Sequence, residues 1–274
     1  MSPFNFAIRR AADSSVQARL PLPSLKSLYR STPKPHPPQV GEAHLSSRLV
    51  PWMLNLAYPL GCYGLLPFYF SSLSVTGQEH LPNQGGVILA PTHRSRWDAL
   101  IVPWAAGFRV TGRHLRFMVT ADEVVGLQGW FIRRMGGFPI NTKHPSVASL
   151  RYGVELLEAG EAVVIFPEGN IYPERIPQPL KPGLARLALK VQSMHPGLNL
   201  KIVPLAINYS HPKVPWRTQV SVHIGAPLEV AAYQQDVPKV AAHHITQDLQ
   251  VVLTQLVRQD DYSKITHALP NSLS

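Results

Sequence analysis

Two short blocks join an apolar run to residues that can move a proton. The first is Val87-Ile-Leu-Ala-Pro-Thr-His93-Arg-Ser-Arg-Trp-Asp98. Its apolar run reads as a strand that ends at His93, with Asp98 five residues on. A tight turn there would fold the Asp98 carboxylate onto one ring nitrogen of His93. That contact fixes the tautomer, leaves the other nitrogen as a base and favours the imidazolium formed when a proton is taken. A hydroxyl held against such a histidine becomes a nucleophile with no nucleophile from the enzyme. The chain contains no Gly-x-Ser-x-Gly elbow, so an acyl-serine route has no support. The same Ser95-x-x-Asp98 spacing also fits a helix capping box, in which Asp98 would serve the helix terminus.

The second block is Ala162-Val-Val-Ile-Phe166-Pro167-Glu168-Gly169. Pro167 fixes one backbone angle and Gly169 permits a positive one, so the run ends in a turn. Glu168 would stand at the same strand-end edge as His93, where it could hold an acceptor hydroxyl, a ligand amide or a neighbouring cation. An ordinary Pro-x-Gly turn is the plainer reading. A third block, Gly136-Gly-Phe-Pro139-Ile-Asn141-Thr-Lys143, ends another short strand in polar and basic residues. Lys143, Arg175 and Lys181 lie near these strand ends, where cationic groups suit a phosphate; each taken singly reads as solvated surface charge.

The elements that must position these groups follow from periodicity. Strands are expected at Ser72–Gly77, Val87–Ala90, Arg116–Thr120, Phe138–Ile140, Ala162–Phe166, Lys201–Asn208 and Gln219–Ile224. Between them lie stretches with helical spacing. One carries Val147, Leu150, Val154 and Leu157, another Leu184, Leu187, Ala188 and Val191, and the last Ile245, Leu249, Val252, Leu253 and Leu256. This alternation predicts an α/β domain over residues 72–274, a mostly parallel central sheet flanked by helices. Such sheets place their sites at the carboxyl ends of the strands.

Residues 49–71 have a different character. The run from Leu49 to Phe70 carries no charge but is punctuated by Pro51, Pro59 and Pro67 and by Gly61 and Gly64. Trp52, Tyr58, Tyr63 and Tyr69 favour the water–lipid boundary. We expect a broken helical segment that docks on a membrane rather than a straight span; an N-terminal helix packed on the core is the alternative. Residues 1–48 are basic and rich in proline and read as a disordered tail. An Arg- and Ser-rich transit peptide is the competing reading, with Asp13 and the proline run against it.

The chain has 274 residues, of which 45% are apolar and 15% charged, with a formal net charge of +10. Charge this sparse and this basic suits an anionic partner, nucleic acid or an anionic membrane surface. No nucleic-acid motif is present, and that reading leaves the uncharged run unexplained. Cys62 is the single cysteine, which excludes an intramolecular disulfide. Set among apolar residues, it reads as a small buried or lipid-facing hydrophobe. His243 and His244 are adjacent in the last helix and face different ways, so no metal site is expected.

The three blocks in this order, followed by Ile202-Val-Pro204-Leu-Ala-Ile207, resemble the glycerolipid acyltransferase family, the group that contains lysophosphatidate acyltransferases. The resemblance covers residues 72–227 and implies catalytic roles for His93 and Asp98. It also implies acceptor contacts for Glu168 and Gly169, and an acyl channel lined by Val203 and Pro204. Lys181-Pro-Gly183 looks like the family's Lys-x-Gly stretch. The implied reaction moves a fatty acyl chain from acyl-CoA or acyl carrier protein, as co-substrate, to a hydroxyl of lysophosphatidate. It implies no cofactor, and it places the protein against membrane lipids, peripheral or monotopic on the cytoplasmic face. Two arginines often present in the family are replaced here, by Thr142 and by Ile171. Lys143, Arg175 or Lys181 would have to stand in for them, or the acceptor is a different lysolipid or carries no phosphate. A non-catalytic lipid-binding protein on the same fold is the rival outside enzymes.

Overall fold

A computed structural model describes residues 47, 49–141, 147–234 and 237–268, with side chains to residue 259. The expected tail over residues 1–48 therefore lies outside the described residues, Ser47 excepted, and so do Thr142 and Lys143.

Eight strands form one sheet: β1 (Ser72–Thr76), β2 (Val87–Pro91), β3 (Leu115–Thr120), β4 (Gly137–Ile140), β5 (Ala162–Val164), β6 (Lys201–Tyr209), β7 (Gln219–Ile224) and β8 (Leu228–Glu229). Their spatial order is β1-β7-β6-β2-β5-β3-β4, with β8 pairing β6. The five strands from β6 to β4 run parallel. The pair β1–β7 is parallel within itself, but β7 lies antiparallel to β6. All seven expected strands form. The two-residue β8 carries too little apolar pattern to be read in advance.

The helices are α1 (Pro51–Tyr58), α2 (Leu66–Tyr69), α3 (Asp98–Ala106), α4 (Phe108–Thr111), α5 (Gly126–Arg134), α6 (Val147–Glu158), α7 (Gly183–Met194) and α8 (Pro238–Ala268). Side chains alternate across the sheet, as strand geometry requires. Ile88 and Ala90 of β2, with Val163 and Ile202, pack under α6, α7 and α8 through Leu157, Ala188, Val191, Ile245 and Leu249. Val87 and Leu89, with Val164, Val203, Leu205 and Ile207, face the other way, onto Ile101, Val102 and Ala105 of α3 and onto Leu66 and Phe70. Both faces are covered, which is why β2 and β5 are unbroken apolar runs rather than alternating ones.

The expected face of α6 is half right. Val154 and Leu157 are buried, whereas Val147 and Leu150 are exposed and Leu156 takes their place in the core.

Residues 51–69 differ from the expected chain of broken helices. A π-helical stretch, Pro59–Leu65, joins α1 directly to α2, and the backbone stays in the right-handed helical region at Tyr58, Pro59, Leu65 and Leu66. Pro59 has no N–H to give and its ring crowds the preceding turn. A wider helical register absorbs both defects without ending the helix. One side of this helix packs on the core through Leu54, Cys62 and Leu66. Burial pushes the Cys62 thiol up to about 11, which keeps it protonated and inert, as expected of a small hydrophobe. Among the described residues, no helix is long and apolar enough to cross a membrane.

Candidate active site

The site is built where β2 and β5 end. Their register pairs Leu89 with Val164, so His93 and Glu168, each four residues further on, emerge at one edge. Between them the backbone continues the pairing briefly, with Ile165 N–H donating to Leu89 O at 3.0 Å. Thr92 anchors the other side of the β2 turn: its Oγ1 accepts the Ile207 N–H of β6 at 2.9 Å.

His93 Nδ1 lies 2.9 Å from Asp98 Oδ2. The same oxygen accepts the Arg94 N–H at 2.7 Å and the Ser95 N–H at 2.9 Å. The other carboxylate oxygen, Oδ1, accepts the Tyr209 hydroxyl at 2.7 Å. The contact with His93 forms as read, and of the capping box only the Asp98 bond to the Ser95 N–H forms, since Trp97 caps the helix with no side-chain bond. Asp98 opens α3 and takes the backbone N–H groups of the turn before it, and it also orients the histidine. Its side chain is fully buried, whereas that of His93 is 20% exposed. The imidazole stacks on Phe166 with ring centroids 3.9 Å apart. With Nδ1 donating to Asp98, Nε2 is the basic nitrogen, on a ring held flat against an aromatic wall and open on one side.

Tyr209 remains a phenol. Burial first, and then the Asp98 carboxylate beside it, push its pKa well above the ordinary tyrosine value. Sequence reasoning missed this residue, because nothing local marks a tyrosine at the end of an apolar strand.

Glu168 takes the third of the roles open to it. Its Oε1 accepts the His93 N–H at 3.0 Å, its Oε2 accepts the Gln178 N–H at 3.0 Å, and Arg94 Nη1 lies 3.0 Å from both oxygens. The residue is 1% exposed. This corrects the expected acceptor contact: Glu168 braces the loop and has no edge turned outward. Arg94 was not singled out from the sequence, since an arginine beside a catalytic-looking histidine reads as surface charge. It is 4% exposed, and its Nη1 also donates to Tyr172 O at 3.0 Å.

Gly169 has φ of 71°, and a Cβ there would collide with the Lys181 side chain. Glycine is required by the positive φ, whereas the exposed tip of Lys181 can move aside. Its N–H donates to Phe166 O at 3.1 Å, which takes it out of consideration as an oxyanion donor. Lys181 is exposed and lies against Gly169, and Arg175 lines a cavity together with Arg94, the residue after His93. Val203 and Pro204 are both buried, on successive positions of β6. Neighbours along a strand face opposite sides of the sheet. Val203 packs in the α3 layer, whereas Pro204 reaches the Gly225 side beside α8. The two do not line one channel.

The sequence profile described as Acyltransferase matches residues 72–208. A 1-acyl-sn-glycerol-3-phosphate acyltransferase of Streptococcus pneumoniae is 25% identical over 207 residues, 71% of this chain and 70% of that protein. A protein of the same description from Bacillus subtilis is 27% identical over 42% of this chain, and the match spans 56% of that protein. The Glycerol-3-phosphate O-acyltransferase 1 of Saccharomyces cerevisiae is 40% identical over 28% of this chain, a tenth (10%) of its own length. The fold is that of the crystal structure of the 1-acyl-sn-glycerophosphate (LPA) acyltransferase PlsC from Thermotoga maritima. The TM-score is 0.59 at 19% identity, covering 77% of this chain and 80% of the other.

Two outcomes follow from this geometry. Glu168→Ala strands the buried Arg94 charge and is expected to cost about 3–5 kcal/mol, read as the shift in the urea unfolding midpoint. Tyr209 has a folded pKa raised above its unfolded value of about 10, so its contribution is complete below that pH and is lost as pH rises past it. Stability should therefore fall in alkali, and Tyr209→Phe should flatten part of that fall in a series of melts from neutral pH to pH about 11.

Proposed function

The chain belongs to the acyltransferase family, and on that premise we propose that it transfers a fatty acyl chain from a thioester, acyl-CoA or acyl carrier protein, to the hydroxyl of lysophosphatidate. The observation that carries this reading is the His93–Asp98 pair, held at a strand-end edge with Nδ1 bonded to the buried carboxylate and the imidazole one-fifth exposed. Nε2 of His93 takes the hydroxyl proton as the oxygen attacks the thioester carbonyl. A carbon–oxygen bond forms, the tetrahedral intermediate collapses, the carbon–sulfur bond breaks, and the thiolate recovers the proton from the imidazolium. Asp98 stabilises that imidazolium and fixes its ring. Histidine and aspartate are the whole of the acid–base machinery in this scheme. The relatives from S. pneumoniae and B. subtilis support lysophosphatidate as acceptor by their descriptions.

The reaction site sits on a membrane surface in this reading, with the protein peripheral or monotopic on the cytoplasmic face. The support is a row of exposed apolar side chains along the N-terminal helix: Trp52 at 66%, Leu56 at 62%, Leu60 at 66% and Phe68 at 70%. Trp52, Leu56 and Leu60 recur every four residues, and so share a helix face. Trp216, also exposed, meets Phe68 edge-on at 4.7 Å and extends the patch onto the β6–β7 loop. Arg109 over the Tyr63 ring places a cation beside it. An apolar stripe with basic flanks suits anionic lipid.

Purified wild type offered labelled acyl-CoA or acyl carrier protein with lysophosphatidate should yield phosphatidate, and His93→Ala should lose at least about a hundredfold in rate. Equal rates from the two proteins would sink the mechanism. In vesicle flotation with anionic lipid, the variant Trp52→Glu, Leu56→Glu, Phe68→Glu should stay at the bottom of the gradient with its melting temperature retained. Flotation equal to wild type would remove this face as the docking surface.

A further inference from the structure

A cavity of about 620 Å³ opens beyond the carboxyl end of β6, lined in part by Arg94, Arg175, Asn208, Tyr209 and Gln219. It stands one residue from the catalytic pair on two sides. Arg94 follows His93 in the chain, and the Tyr209 hydroxyl is bonded to Asp98.

Two of its lining side chains are almost wholly buried yet incompletely satisfied. Arg94 spends one nitrogen, Nη1, on Glu168, Tyr172 O and His93 O. Its Nε and Nη2 have no hydrogen-bond partner among the described residues. Those two nitrogens share one edge of the guanidinium, the parallel fork that grips two oxygens of a phosphate or carboxylate. Asn208, 2% exposed, likewise has neither its Nδ2 nor its Oδ1 engaged among the described residues. Buried polar atoms are nearly always paired, and each exception calls for an explanation, a catalytic role or a bound group among them. The Glu168 contact holds the guanidinium through Nη1 and leaves its Nε–Nη2 edge without a partner among the described residues.

We propose that this cavity seats the phosphate of the acceptor, with the Nε–Nη2 edge of Arg94 and the amide of Asn208 gripping its oxygens and Arg175 adding charge at the mouth. This rests on the lysophosphatidate reading and names the residues that make it specific. The reacting hydroxyl and the phosphate ester are on adjacent carbons of glycerol, so a phosphate beside Arg94 leaves the hydroxyl within reach of His93. Glu174 lines the same wall and opposes an anion, which puts the weight on the directed fork rather than on net charge. Ile171 is half-buried and lies outside the cavity lining.

The test uses the full chain in detergent, with Asn208→Leu and, at an exposed position that folding tolerates, Gln219→Glu. Two readouts are taken: KM and kcat for lysophosphatidate and for the acyl donor, and calorimetric binding of sn-glycerol 3-phosphate, inorganic phosphate and coenzyme A. Each variant should raise the lysophosphatidate KM about tenfold and weaken sn-glycerol 3-phosphate equally, with kcat and the donor KM within about twofold. An unchanged acceptor KM in Gln219→Glu and in a folded Asn208→Leu overturns the proposal. So does a raised donor KM with lost coenzyme A binding, which would give the cavity to the donor's phosphates. Binding of inorganic phosphate without sn-glycerol 3-phosphate would make it a free-phosphate site and overturn it too. Wild type that binds sn-glycerol 3-phosphate through Asn208 but acylates no lysophosphatidate would support the phosphate seat and refute the reaction instead.

Discussion

The buried pair of Arg94 and Glu168 is the constraint on which the site depends. Removing two charges from water costs several kcal/mol per ion, recovered only where geometry and further hydrogen bonds are good. Here the carboxylate collects a guanidinium and two backbone N–H groups, those of His93 and Gln178. The N–H of His93 is one of them, so the ion pair sets where His93 leaves the strand. It also ties the turn after β2 to the turn after β5, two pieces of chain 75 residues apart.

That tie works because the sheet has already brought the two ends level. β2 and β5 are adjacent, parallel and apolar on both faces, so their register is fixed by burial on each side, and a slip of one residue would turn every side chain to the wrong layer. Asp98 adds a second fastening from a different direction. Through Tyr209 it reaches the end of β6, the strand on the other side of β2. His93 is thus located by three neighbouring strand ends, which a loop alone could not do. Fastenings of this kind hold the imidazole in one orientation.

The same edge faces the segment that carries the exposed aromatic and aliphatic residues. Trp97, in the turn between His93 and Asp98, lies 4.3 Å from Tyr69, and Tyr69 meets Trp216 at 5.4 Å. The Tyr69 hydroxyl donates to Val214 O at 2.8 Å and holds the β6–β7 loop against the helix. A contiguous aromatic cluster therefore links the His93–Asp98 turn to the apolar stripe.

Sequence by itself determined a great deal. Apolar runs ending in His93 and in Pro167-Glu168-Gly169 identified β2 and β5 and the edge where they end, because strand burial and turn chemistry are local properties. The His93–Asp98 contact was legible for the same reason, five residues apart across one turn. The burial of Cys62 was legible too. What stayed hidden was long-range. The roles of Arg94 and Glu168 could not be told from surface charge until the fold buried them against each other. Tyr209 gained its part only when β6 lay beside β2. The antiparallel turn of β7 and the two-sided placement of Val203 and Pro204 came from sheet order, and the unbroken N-terminal helix came from a π register that lets prolines sit within it. Apart from that local register, each residue's chemistry was set by a partner distant in the chain, and only the tertiary structure decides which partner that is.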